Sequence, residues 1–150
     1  MKSNNLGLSS IDVLILGFVV VTLLLIAVPQ TKNYLSKAQA IEGYDRAGAI
    51  KSKLETYYKS NGQFPTKTGD GNQAIGVSLP RDLKGEYVSK VTVSDDGFGT
   101  ITAEFGAGKH IGKFVRLNPI PVSDGTFHYS CNSNVDTTLL VFLTISDCVR

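Results

Sequence analysis

The chain has little of what catalysis draws on. Its 150 residues include two histidines, two cysteines, one methionine and no tryptophan. No Ser/His/Asp or metal-ligand spacing connects His110 and His128, so no catalytic residue, no metal site and no cofactor is expected. An excess of one charge is missing as well: charged residues make up 19% and the formal net charge is +2. That balance excludes a nucleic-acid binder working by bulk charge, which needs a concentrated basic face. Nucleic acid stays an open question as a partner, because Arg81, Lys84, Lys90, Lys109, Lys113 and Arg116 are scattered along the chain and only the fold could gather them.

What is present is unevenly spread. Residues 13–28 read VLILGFVVVTLLLIAV, without a charge and with Thr22 as the only polar side chain. As a helix this run covers about 24 Å, and Leu8, Ser9, Ser10 and Ile11 can extend it toward the ~30 Å of a hydrocarbon core. A membrane segment is expected. Lys2 on its short side places the N-terminus in the cytoplasm and the bulk of the chain outside, where disulfides persist. A bridge between Cys131 and Cys148 would close a loop of about seventeen residues, worth ~3 kcal/mol by chain entropy; the alternative is two unrelated thiols. An ordinary secretory signal fits poorly, since the A-x-A-like Ala38-Gln39-Ala40 lies well past the run, behind Lys32 and Lys37. Asp12 sits at the leading edge of the segment. A carboxylate costs ~2.5–3.5 kcal/mol in mid-bilayer, but a helix N-terminus welcomes it.

The stretch Gly7-Leu8-Ser9-Ser10-Ile11-Asp12, the apolar run behind it and Pro29 resemble the class III signal of type IV prepilins. Counting Leu8 as the first mature residue, Asp12 is the fifth and Pro29 the twenty-second, the places where that family carries an acid and commonly a proline. Leu8 and Asp12 stand where the family usually has Phe or Met and Glu. The resemblance implies cleavage between Gly7 and Leu8 by prepilin peptidase, N-methylation of Leu8, and a helix kink or local unwinding at Pro29. It also implies an assembly charge pair between the Leu8 amine and Asp12, either of a neighbouring subunit or of the same chain. Residues 1–7 would be the leader, 8–30 the transmembrane and filament-core segment, and 31–150 the periplasmic or extracellular globular domain.

Beyond Pro29 the pattern turns amphipathic. Tyr34, Ala38, Ile41, Ala47, Ile50, Leu54 and Tyr57 recur at spacings of three and four, predicting one long helix from Leu8 to Ser60 that stops at Asn61-Gly62. Gly43 and Gly48 weaken it by roughly 1 kcal/mol each. Tyr57-Tyr58-Lys59-Ser60-Asn61-Gly62-Gln63-Phe64-Pro65 resembles the stretch closing that helix in many pilins. Thr66 to Lys84 reads as a loop, with Asp70-Gly71-Asn72 as a turn rather than a calcium loop. Alternation predicts strands over Glu86–Ser94, Gly99–Phe105, Lys113–Asn118 and Thr126–Cys131, with a turn at Asp95-Asp96-Gly97. His110 is expected in a solvated loop and His128 packed in a strand. The run Leu139–Leu143 reads as a further buried strand, with an exposed patch as the alternative, and Asn132, Ser133, Asn134 and Asp136 read as an exposed tip.

The strand order is similar to that of major pilins, and the segment from Cys131 to Cys148 looks like their disulfide-bounded C-terminal region. The fold class expected is α+β: a long N-terminal helix packed on a four-stranded antiparallel sheet. The function the resemblance implies is that of a non-enzymatic structural subunit of a type IV pilus. Such a subunit is held in the inner membrane before assembly and then polymerised into an extracellular filament for adhesion, twitching motility or DNA uptake. Its partners would be further pilin subunits, prepilin peptidase and the inner-membrane assembly machinery. A pseudopilin of a type II secretion system, or a membrane-anchored binding module that never polymerises, are the alternatives.

Overall fold

A computed structural model of the chain describes residues 9–66, 69–123 and 125–135, without the side chains of residues 26–33. Two units divide at Leu35 and Ser36. Helix α1 (Ser10–Gly48) runs without a break through position 29, and α2 (Lys51–Asn61) follows it. The predicted single helix is therefore two. The i−4 hydrogen bond from Ala49 N–H to Asp45 O (2.9 Å) is the last of α1. Ile50 then takes φ −101° and ψ −1°, which drops its side chain into the core, where it is buried. Gly48, the poorest helix former in the neighbourhood, marks where the helix gives way. At the far end Gly62 adopts φ 71° and its N–H meets Tyr58 O at 2.7 Å, the left-handed stop that Asn61-Gly62 predicts.

The sheet follows the expected order. Strands β1 (Val88–Val93), β2 (Ile101–Phe105), β3 (Phe114–Pro121) and β4 (Phe127–Ser133) pair in sequence, all antiparallel. A bulge between Val88 and Lys90 resets the alternation of β1, so Val88, Val91 and Val93 all face inward. Ile101, Ala103, Phe105, Val115 and Leu117 complete that face, and Ala40, Ala47, Ile50 and Leu54 meet it from the helices. Residues 36–48 of α1, together with α2, thus pack on a four-stranded antiparallel sheet in an α+β arrangement. Where α2 meets the start of β4, Tyr58, Phe64 and Phe127 form a ring cluster with centroids 4.5–6.3 Å apart.

The loop predicted over Thr66–Lys84 holds two short pieces of helix. Asp70 accepts from Asn72 N–H at 2.9 Å and so caps α3 (Gly71–Ala74). A 3-10 turn spans Pro80–Leu83 and a second one Gly108–His110. β4 continues two residues past Cys131, so Asn132 and Ser133 are paired with Arg116 and Val115 rather than forming a tip. Asp136, the run Leu139–Leu143 and Cys148 lie outside the described residues.

Candidate assembly surface

Helix α1 begins with a cap that the sequence pattern S-x-x-D encodes. Ser9 precedes the first helical residue; its Oγ accepts from Ile11 N–H at 3.4 Å, and its own N–H donates to Asp12 Oδ2 at 3.0 Å. These reciprocal bonds satisfy two of the orphan donors at the helix start. Asp12 also places negative charge against the positive end of the helix dipole. Gly7 and Leu8 lie outside the described residues, so the pairing expected between the Leu8 amine and Asp12 is not among these bonds.

From Ile11 to Leu25 the large apolar side chains are 44–73% exposed on every side of the helix. A helix apolar all round has to be covered by something, because each such side chain contributes about 1.5–3 kcal/mol when taken out of water. From Val13 to Leu25 Thr22 is the one polar side chain. Its hydroxyl turns back onto the helix, donating to Val19 O at 2.8 Å within 3.1 Å of Phe18 O. The hydroxyl thus carries no unmet hydrogen bond into an apolar setting. Exchanging it for a methyl group of the same shape, in Thr22→Val, is expected to leave the helix content of the full chain in mild detergent unchanged by circular dichroism. Among the described residues no helix is long and apolar enough to cross a membrane. The side chains of residues 26–28, the end of the expected span, lie outside that description.

In the second unit a polar seam ties α1 to the sheet's loops. His110 is buried, not solvated as its turn sequence predicts. Its Nε2 lies 2.9 Å from Ser36 O and 3.3 Å from Ser36 Oγ; a carbonyl only accepts, so Nε2 carries the proton. One turn on, Gln39 Oε1 accepts from Lys109 N–H at 2.9 Å. One turn further, Glu42 Oε2 accepts from Tyr87 N–H at 3.1 Å. Its Oε1 is buried and lies 3.9 Å from Arg46 Nε, an ionic rather than a hydrogen-bonding distance. This seam moves the buried face of α1. Ser36, Gln39, Ala40 and Gly43 turn inward, while Tyr34 and Ala38 are exposed and Ile41 is half-buried. Hydrophobic spacing alone pointed one to two residues away, because the inward positions include a Ser and a Gln.

His128 lies in β4 but on its exposed face, across from Ile120. The adjacent Tyr129 is half-buried, and its Oη donates to Glu55 Oε1 at 3.0 Å. Burial first, and then that bond to a carboxylate, push the phenol well above its ordinary range. Cys131 is half-buried in the same strand and is not a free thiol. Of the six scattered cations, the fold brings Arg81, Lys84 and Lys90 to one surface cleft. Arg116 instead stacks on Phe114, 4.5 Å from the ring centroid.

The comparisons agree with this geometry. The family model described as pilin (bacterial filament) matches residues 36–141. The fimbrial protein EcpC of Eikenella corrodens is 31% identical over 145 residues, 93% of this chain and 90% of the relative. A fimbrial protein of Neisseria meningitidis serogroup A is 27% identical over 90% of this chain and 77% of its own length. A type IV major pilin protein PilE1 of Neisseria gonorrhoeae is 33% identical over 78% of this chain and 64% of its own length. With its helix packed on a four-stranded antiparallel sheet and its bare apolar N-terminal helix, this chain belongs to the type IV pilin family.

Proposed function

We propose that this chain is a structural subunit of a type IV pilus that polymerises through the apolar helix starting at Ile11. The single observation that carries the reading is the helix surface from Val13 to Leu25, apolar on all sides, with its one hydroxyl satisfied internally. Such a surface suits two successive environments, lipid before assembly and the helices of other subunits after it. In this reading residues 1–7 are a leader removed by prepilin peptidase after Gly7, and the new Leu8 terminus is N-methylated. Residues 8–30 hold the chain in the inner membrane with the N-terminus cytoplasmic, and Pro29 bends the helix. An amine freed at Leu8 is costly in an apolar medium unless paired, and the Asp12 carboxylate of a neighbouring subunit offsets that cost by pairing with it. Cys131 and Cys148 are bridged, tying the C-terminal segment to β4. Relatives bearing the words pilin and fimbrial protein support the pilus over a secretion pseudopilus. Adhesion, twitching motility and DNA uptake are the outputs this filament would serve.

The test is the intact mass, with N-terminal fragmentation, of protein sheared from cells that express the chain. The expected species begins at a methylated Leu8, has both cysteines oxidised, and sediments as filaments. Protein retained in the membrane with residues 1–7 attached would overturn the reading and leave an anchored, unpolymerised module.

A further inference from the structure

The β1–β2 hairpin carries two features that polymerisation through α1 does not use. One is a braced tip. Ser94 N–H donates to Thr100 O at 2.8 Å, and Thr100 N–H returns to Ser94 Oγ at 2.9 Å. Ser94 Oγ–H donates to Asp96 Oδ1 at 2.6 Å, and the same oxygen accepts from Phe98 N–H at 3.0 Å. Gly97 N–H reaches Pro65 O at 3.0 Å, and Thr66 forms an isolated antiparallel bridge with Asp96. Gly97 and Gly99 take φ +87° and +65°, which the tight turn requires. The bond from Ser94 holds the Asp96 carboxyl below its usual range, so it is fully charged at neutral pH. On this rigid turn the Phe98 ring stands 71% exposed. A braced backbone leaves only the two side-chain torsions of the phenylalanine to be ordered on docking.

The other feature is a cleft between the 3-10 turn Pro80–Leu83 and β1. Its floor of about 690 Å³ is lined by Arg81, Asp82, Lys84, Ser89 and Lys90. It adjoins a hollow of about 540 Å³ that shares Arg81, Asp82 and Lys90 and adds Leu79, Pro80 and Thr92. Leu79 is about half exposed there, so the hollow joins an apolar side chain with two cations and one carboxylate. Three cations face one carboxylate in the lining, although Lys90 also meets Glu104 Oε1 at 3.0 Å.

We propose that the Phe98 tip of one subunit seats in this cleft of a second copy, the ring on Leu79 and Pro80, with Asp95 and Asp96 facing Arg81 and Lys84. This rests on the pilus reading above. The chemistry is complementary: an aromatic flanked by two acids meets an apolar shelf flanked by cations, and Arg81 can lie over the ring. The two patches are different surfaces of one chain, so the contact is heterologous. Head-to-tail contacts of that kind propagate into open helical assemblies instead of closing as a dimer. The hairpin contact would fix how neighbouring globular domains meet, beyond the register that the Leu8–Asp12 pair gives the helices.

The experiment places the photoreactive analogue p-benzoylphenylalanine at position 98 of the full chain, irradiates sheared filaments, and maps the adducts by mass spectrometry. The expected adducts join position 98 to residues 79–92 of another chain. Arg81→Glu with Lys84→Glu in the same background is expected to lower their yield roughly tenfold, the size of a lost interface hot spot. Adducts on another surface of a neighbouring chain, or filaments with no adduct between chains, would overturn the proposal and leave the pilus reading intact. Absence of filaments from the unsubstituted chain would instead overturn the pilus reading, and this contact with it.

Discussion

Gly43→Ala is expected to destabilise the globular unit by about 1–3 kcal/mol, against the usual direction of a glycine-to-alanine change in a helix. A Cβ at this position would overlap the tip of the Phe105 ring, with Cε1 and Cε2 also only 3.1 Å away. The ring cannot easily step aside. Phe105 is buried on β2, and the His110 ring lies against it, 5.6 Å between centroids. His110 is itself held at 2.9 Å by Ser36 O. Moving the ring therefore disturbs the seam that ties α1 to the sheet's loops. Urea unfolding of the full chain in mild detergent measures the effect. Gly43→Ala combined with Phe105→Leu, which removes the ring tip, is expected to cost clearly less than the two single changes added together. Strict additivity would show that the close approach is not what makes glycine necessary here.

Asn72→Leu is expected to cost about 3–5 kcal/mol, the larger of the two effects, because it leaves polar groups of β1 buried without partners. β1 is an edge strand, and the fully buried Asn72 completes its outer side. Its Nδ2 donates to Val91 O at 2.8 Å and to Ser78 O at 3.2 Å, while its Oδ1 accepts from Val93 N–H at 2.7 Å. The amide thus imitates a neighbouring strand and closes an edge that would otherwise recruit another chain. Leucine keeps the branch at Cγ, though it is bulkier, and has neither donor nor acceptor. Two readouts separate this from a simple packing defect. Unfolding should shift by the stated amount, and hydrogen exchange at the Val93 amide should accelerate far more than at Val115 in the sheet's centre. Equal acceleration at both would mean that Asn72 acts through general stability alone.

The strands were legible because alternation is a strong local signal. Val91, Val93, Ile101, Ala103, Val115 and Leu117 all face the core as their period of two predicts. The helix stop was legible because Asn61-Gly62 can adopt a conformation that most residues avoid. The bulge at Val88–Lys90 was not: one inserted residue leaves both flanking patterns looking regular. The break between α1 and α2 was only half legible: Gly48 marks a weak point, but Gly43 is as poor a helix former and α1 runs through it.

The candidate assembly surface divides in the same way. The unbroken apolar run, the acid at Asp12 and the register of Gly7, Asp12 and Pro29 are all local, and each can be read by counting along the chain. The seam of Ser36, Gln39 and Glu42, the burial of His110 and the strand-like role of Asn72 depend on partners as many as 74 residues away. A polar residue's place inside a fold is set by the hydrogen bond waiting for it, and that partner is supplied by distant backbone. The same holds for the cleft. Nothing in the spacing of Arg81, Lys84 and Lys90 brings them to one surface until the Pro80–Leu83 turn lies beside β1. The apolar helix, the strand order and the family can be read along the chain, because they rest on composition and period. Which polar groups are buried and which charges meet is settled in the fold, because those outcomes depend on contacts between segments remote in the chain.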